Sequence, residues 1–429
     1  MDGSHELQSV AQQALEAMRA AGFDQAQVTA SRTALDELSI ADNEPALLRS
    51  TANRKLTLLG ISDGRMASTE LTDFTTQAIQ EGCSALFADA AAAPRDDANA
   101  VSSGQQVRLV QGPQEGDRDL LATTMSDFLA WREDHAPRMV MAEAEASHHL
   151  QRWHTLTSGG SDLAGSVGWY SLSGFGTARD GAQSSSFNYA GGNTHDLGAK
   201  APQDMFGLGQ MMLDTQRQIR TQPVGGKFTG DVVLMPNAVE ALLGWLLGQL
   251  GDMQLIAGTS LYREKVGQAI ASPLLNLRGR FDMPGVAAVS ADAFAAPSVG
   301  IVEDGVLRTL TPTFYGSRKT GVPHVPVAGR GWDILPGRTP LAEMVGGVQR
   351  GALVGRLSMG MPAANGNFSG VIKNSFVISG GEVGDALSET MISGNMAQML
   401  RDIVAVSAES LEGDGWRFPW IRISGLHFS

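Results

Sequence analysis

Apolar positions recur with two different periods along this chain, and the period divides it into regions. Leu7, Val10, Ala11, Ala14, Leu15 and Met18 fall at three- and four-residue steps, which predicts an amphipathic helix closed by Gly22. Strands are predicted over Gln27–Leu38 and Arg54–Ile61, with Asp63-Gly64 as the turn after the second. Thr72–Leu86 reads as a helix with Phe74, Ala78, Ile79 and Leu86 inside, and Cys83 on it reads as a small buried side chain. Ala88–Gln106, rich in Ala, Asp, Ser and Pro, reads as a loop, and Arg118–His135 as a third helix stopped by Pro137. From Arg138 to Tyr189 the pattern becomes alternation, with turns at Gly159-Gly160 and Asp180-Gly181, so antiparallel strands are expected. Phe206–Arg220 returns to helix, and Gly225-Gly226 marks a boundary between regions 1–225 and 226–429.

The second region turns on one helix. Val232-Val233-Leu234-Met235 reads as a buried strand, after which Pro236 suits a first helical turn and Asn237 a cap. Val239, Leu242, Leu243, Leu246, Leu247 and Leu250 then share one helical face. Short strands broken by Gly and Pro follow, with helices predicted over Leu341–Gln349 and Met396–Val406. The whole reads as α+β: N-terminal helices with antiparallel strands, then a β-rich region with few helices.

Composition narrows the function classes. With 18% charged and 43% hydrophobic residues the chain of 429 is a folded globular protein, long enough for two or three domains. A formal charge of −13 argues against a broad nucleic-acid surface. One cysteine allows no intrachain disulfide. No apolar run approaches the ~20 residues of a membrane span, and Met1–Glu6 has no signal-peptide character, so a cytoplasmic protein is expected.

Local motifs for chemistry are weak. Glu143, Glu145, His148, His149 and His154 cluster in sequence, but the alternation around them predicts a strand with the two Glu on a solvated face. Gly225-Gly226-Lys227 lacks the first Gly and the Ser/Thr of a P-loop and reads as a turn. Ser158-Gly159-Gly160-Ser161 and Ser173-Gly174-Phe175-Gly176 are not G-x-S-x-G elbows, and no His/Asp partners are evident.

Val232–Gly267 resembles the core segment of the TldD/PmbA (TldE) proteins, described as modulators of DNA gyrase and as candidate metallopeptidases. The metal-binding branch, TldD, carries H-E-x-x-x-H on this helix after a V-V-L-x-P start. Here the motif falls on Gly244-Trp245-Leu246-Leu247-Gly248-Gln249, so Gly244, Trp245 and Gln249 replace His, Glu and His. The likeness resumes at Gly258–Tyr262 and Val266-Gly267. It continues at Glu303–Leu307, Ser317–Gly321, Leu335-Pro336-Gly337, Gly366–Gly370 and Ser393–Met396. Gly331 stands where Asn is usual and Asn367 where Asp is usual. The TldD branch also places a Cys near its C-terminus, whereas Trp416–Ile423 contains none.

The resemblance implies the PmbA/TldE branch, with no metal, no cofactor and a curved or barrel-like antiparallel C-terminal sheet. It implies a non-catalytic subunit that joins a TldD-like metallopeptidase in a heterodimer for peptide maturation and proteolysis. The rivals are a homodimeric stand-alone peptide-binding or scaffold protein and, third, a metallopeptidase with unrecognised ligands. Ser260, Arg318, Lys319, Phe368 and Asn395 are the candidate peptide or partner contacts. Arg318 and Lys319 read equally as exposed strand ends, and Asn395 as a helix cap.

Overall fold

The computed structural model describes residues 4–388 and 390–429. Two sheets organise them, one built from residues 25–194 and the other from residues 228–428.

The first sheet runs Arg65–Leu71, Glu44–Ser62, Gln25–Ala41, Met139–Thr157, Asp162–Asp180, Gln106–Gln111, with Asn188–Thr194 also on Asp162–Asp180. Its long strands follow from alternation: Val28, Ala30, Leu56 and Leu58 are buried under helices Ser4–Ala20 and Thr76–Ala92. Cys83 lies in that core, where burial pushes its thiol up to about 11. Helix Arg118–His135 covers the other end of the sheet with Leu121, Met125 and Phe128, and has the bounds the sequence predicts. Asp63 (φ 49°) and Gly64 (φ 71°) make the left-handed pair that a two-residue hairpin needs. Asp42 and Asn43 make a second such turn, joining strands longer than the sequence suggests. Strand Gln106–Gln111, which the sequence did not single out, pairs parallel with 162–167.

The second sheet is centred on the last strand, Trp416–Phe428, which pairs with Phe228–Leu234, Trp332–Ile334, Met391–Asn395 and Ile403–Glu412. The fold class is α+β, as expected. The sheet is mixed, however: Phe228–Leu234 runs parallel to Arg350–Val354, and Trp332-Asp333 parallel to Trp416-Arg417. Among the described residues it forms no closed barrel. A parallel pair needs a crossover, and residues 235–349 supply it through the central helix.

Three local expectations are corrected. The central helix spans Pro236–Leu250 with Met235 as the capping position and no side-chain cap bond, so Asn237 lies inside the first turn. The last helix is only Met396–Arg401. Ile403 and Val406 belong to a strand opposite Ile423 and Ile421, their helical spacing being shared between two elements. Arg318 and Lys319 sit on helix Phe314–Thr320 rather than at a strand end.

Candidate functional site

The central helix has two unlike faces. Val239, Leu242, Leu243, Leu246 and Leu250 are buried against Val232, Leu234, Ile421 and Ile423, with Leu247 half-buried beside them. Burying an aliphatic side chain of this size contributes roughly 2 kcal/mol, so this face fixes the helix. The other face shows Gly244, Trp245 and Gly248 to a cleft of ≈ 270 Å³ that Met359, Met361 and Pro362 help to line.

Gln249 also lines that cleft, but its side chain is committed to the chain that follows the helix. It is 3% exposed, and its Oε1 accepts from the Leu261 N–H at 2.9 Å. Its backbone carbonyl accepts from Ser260 Oγ at 2.6 Å, and Ser260 Oγ accepts from the Tyr262 N–H at 3.1 Å. Gln249 and Ser260 therefore tie the helix C-terminus to the turn after Gly258, whose φ of 69° places it in the left-handed region. Trp245 meets Tyr262 edge to face, centroids 6.1 Å apart, with Gly366 packed on the indole. Both Trp245 Nε1 and the Tyr262 hydroxyl are buried without a partner, and burial pushes the phenol up to about 12.

Asn395 adjoins this wall. Its Oδ1 accepts from the Gln398 N–H, capping Met396–Arg401, and its Nδ2 donates at 2.8 Å to the Asn365 carbonyl and to Asn367 Oδ1. It lines a second cleft of ≈ 600 Å³ with Tyr262, Lys265, Asn365, Gln398 and Arg401. The sequence reading did not single out Lys265 and Arg401, since nothing local relates them.

The remaining candidate contacts lie elsewhere. Phe368 is 8% exposed and packed in the core of the second sheet. Arg318 donates to the carbonyls of Ala98 (3.0 Å) and Asp97 (2.9 Å), and Lys319 Nζ to Asp96 at 2.7 Å. Those donors hold the 96–98 loop. Lys319, then the Ala98 N–H and the Tyr315 hydroxyl, bring the Asp96 carboxyl down to about 2.

The motif positions do not fit zinc. Zn²⁺ takes imidazole, carboxylate or thiolate donors. Gly244 has none, the Trp245 indole N–H only donates, and the Gln249 amide oxygen is committed to Leu261. The Glu/His run also disperses along strand Met139–Thr157. There His148 contacts the Pro113 carbonyl, His149 stacks on Trp169 and His154 contacts Asp162. No group of three or more His, Cys, Asp or Glu among the described residues is placed to hold a metal ion.

Comparison with known proteins bears on the family and the fold. A profile described as PmbA/TldA metallopeptidase C-terminal domain matches residues 226–429. A zinc metalloprotease TldD homolog from Saccharolobus solfataricus is 24% identical over 227 residues, covering 48% of this chain and 51% of that protein. The chain thus spans about half the length of the curated relatives it matches. The fold likeness extends over the whole chain. TldE from Thermococcus kodakarensis superposes with a TM-score of 0.81 at 18% identity, covering 98% of this chain and 100% of that one. A candidate modulator of DNA gyrase from Bacteroides thetaiotaomicron gives 0.84 at 20% identity, covering 100% and 99%. Residues 226–429 therefore belong to the PmbA/TldD C-terminal domain family, and the chain as a whole has the fold of the TldE structure.

Proposed function

We propose that this chain is the non-catalytic, TldE-like subunit of a TldD/TldE-type metallopeptidase that acts in peptide maturation and proteolysis. The observation that carries the reading is the fate of the motif positions. Gly244 offers no donor, Trp245 offers only an N–H, and Gln249 is spent on holding the following turn. The metal and the water-activating base then come from the partner, because a hydrolytic zinc needs donors and a base that this helix lacks.

This helix retains a shape in place of chemistry. The Gly244–Gly248 face leaves an open groove beside Met361, which is 88% exposed. Exposed apolar surface of this kind suits a partner or an extended peptide. The test is co-purification of the full chain from its native host, followed by native mass spectrometry and elemental analysis. A complex with an H-E-x-x-x-H protein, whose zinc follows the partner, is expected. A homodimer without that partner would favour the stand-alone peptide-binding reading. About one zinc per chain in the isolated protein would overturn both.

A further inference from the structure

Arg54, Arg32 and Arg152 stand directly opposite one another on three neighbouring strands of the first sheet, Arg32 in the middle. Facing side chains in an antiparallel pair have Cβ atoms ~5 Å apart, and like charges there destabilise the sheet. Several basic groups elsewhere on the sheet or beside it are matched by carboxylates: Lys55 with Glu70, Arg49 with Glu37, Arg108 with Asp162 and, from the neighbouring helix, Arg118 with Asp36. In this row only Arg32 has a carboxylate, Glu6 at 2.8 Å. Arg54 donates to the Thr72 carbonyl and lies over Phe74. The Arg152 backbone is paired in the sheet, but its guanidinium has no hydrogen bond or ion pair among the described residues.

The three guanidinium groups line one cleft of ≈ 470 Å³ that also includes Ala34, Ala52 and Leu150. Those three are the next row on the same face, since Ala34 faces Ala52 and Leu150 in the register. The trough is thus cationic along one side and apolar along its floor. Arg152 also lines an adjoining cleft of ≈ 550 Å³ with Arg108, Gln114 and Ser166, so the trough continues past the row.

We propose that this trough binds an extended acidic peptide segment, its carboxylates accepting from Arg54, Arg32 and Arg152. The spacing favours a peptide. Two strand separations make the row ~10 Å long, and same-side carboxylates of an extended peptide recur at ~6.7 Å, so two of them span it. Side chains between them rest on Ala34, Ala52 and Leu150. A single phosphate would reach only one neighbouring pair and leave the floor unused. Arginine suits the role because its planar fork pairs with carboxylates bidentately. The site uses no metal and stands independently of the subunit reading above.

The test is fluorescence anisotropy with a labelled (Glu-Ala)₅ peptide, with (Lys-Ala)₅, (Gln-Ala)₅ and tripolyphosphate as further arms. The full chain binds the acidic peptide alone among the three peptides, and more weakly as salt rises. Arg152→Glu lowers affinity by about tenfold or more, the loss of a charge-assisted contact. It melts no lower than the parent, because its new carboxylate faces Arg32. Arg152→Gln falls in the same direction by a smaller factor. Arg220→Glu, the same charge change on the 77%-exposed Arg220 side chain, leaves binding unchanged. The proposal is overturned if the parent does not bind, if Arg220→Glu weakens binding as much as Arg152→Glu, or if tripolyphosphate binds and the acidic peptide does not.

Discussion

In the second sheet Arg278, Asp333 and Arg417 form a row across three strands, and in the first sheet Arg54, Arg32 and Arg152 form another. The first of these rows alternates in sign. Asp333 is fully buried and accepts from both guanidinium groups at 2.8 Å. Asp231 and Arg422 make a further ion pair between neighbouring strands at 2.6 Å. The other row has one sign and opens on a trough. A row that alternates is complete within the protein and serves architecture. A row of like charges leaves its hydrogen-bonding capacity facing outward, where a ligand of opposite charge can use it.

The comparison breaks most visibly at Asp333. Asp333→Ala leaves two guanidinium groups without the buried carboxylate, which costs about 4 kcal/mol in denaturant unfolding. A loss below about 1 kcal/mol would mean that the alternating row is not structural. Leu246→Asp tests the apolar side of the same half: an unpaired charge in the core costs at least ~3 kcal/mol. A variant that melts like the parent would refute the assignment of the buried helix face. Gln249→Ala frees the Leu261 N–H and costs about 1 kcal/mol. Hydrogen exchange should then speed up in 258–262 and not in the first sheet.

The smallest effect concerns the contact between the two halves. The Asp96 carboxyl lies at about 2 against an ordinary 3.8, held down first by Lys319. A depressed carboxylate stabilises the fold above its unfolded value and loses that contribution as pH falls towards its folded value. The gap in stability between the parent and Asp96→Asn should therefore be present at pH 5 and shrink between about pH 4 and 2. Because the pair is exposed, salt should shrink it too. A gap that does not change over that range would show that the ion pair contributes nothing.

What the sequence made legible was local. Arg118–His135 could be bounded because Pro137 stops it, and the structure adds Asp117 as its cap, accepting from the Leu120 N–H. The α+β class and the inner face of the central helix were legible from the period of the apolar positions. Met396–Val406 misled because Met396, Met399, Leu400 and Ile403 keep one period across a helix and a strand, with Asp402 breaking the helix between them. The roles of Arg318 and Lys319 were hidden because their partners, Asp96 to Ala98, lie some 220 residues away in a loop. The arginine row was hidden likewise, since positions 32, 54 and 152 meet only through strand register. At the motif positions the lack of donors was plain in the sequence. That Gln249 holds Leu261 became visible only in the fold.

The most direct measurement is a peptidase assay on three samples: this chain alone, this chain with a TldD-type partner, and the pair with the partner's motif Glu replaced by Gln. The chain alone should show no hydrolysis above background, the pair should hydrolyse peptides, and the partner variant should lose that activity, because the proposed function assigns the base and the metal donors to the partner. Robust, chelator-sensitive hydrolysis by this chain alone, free of contaminating peptidase, would contradict the non-catalytic assignment.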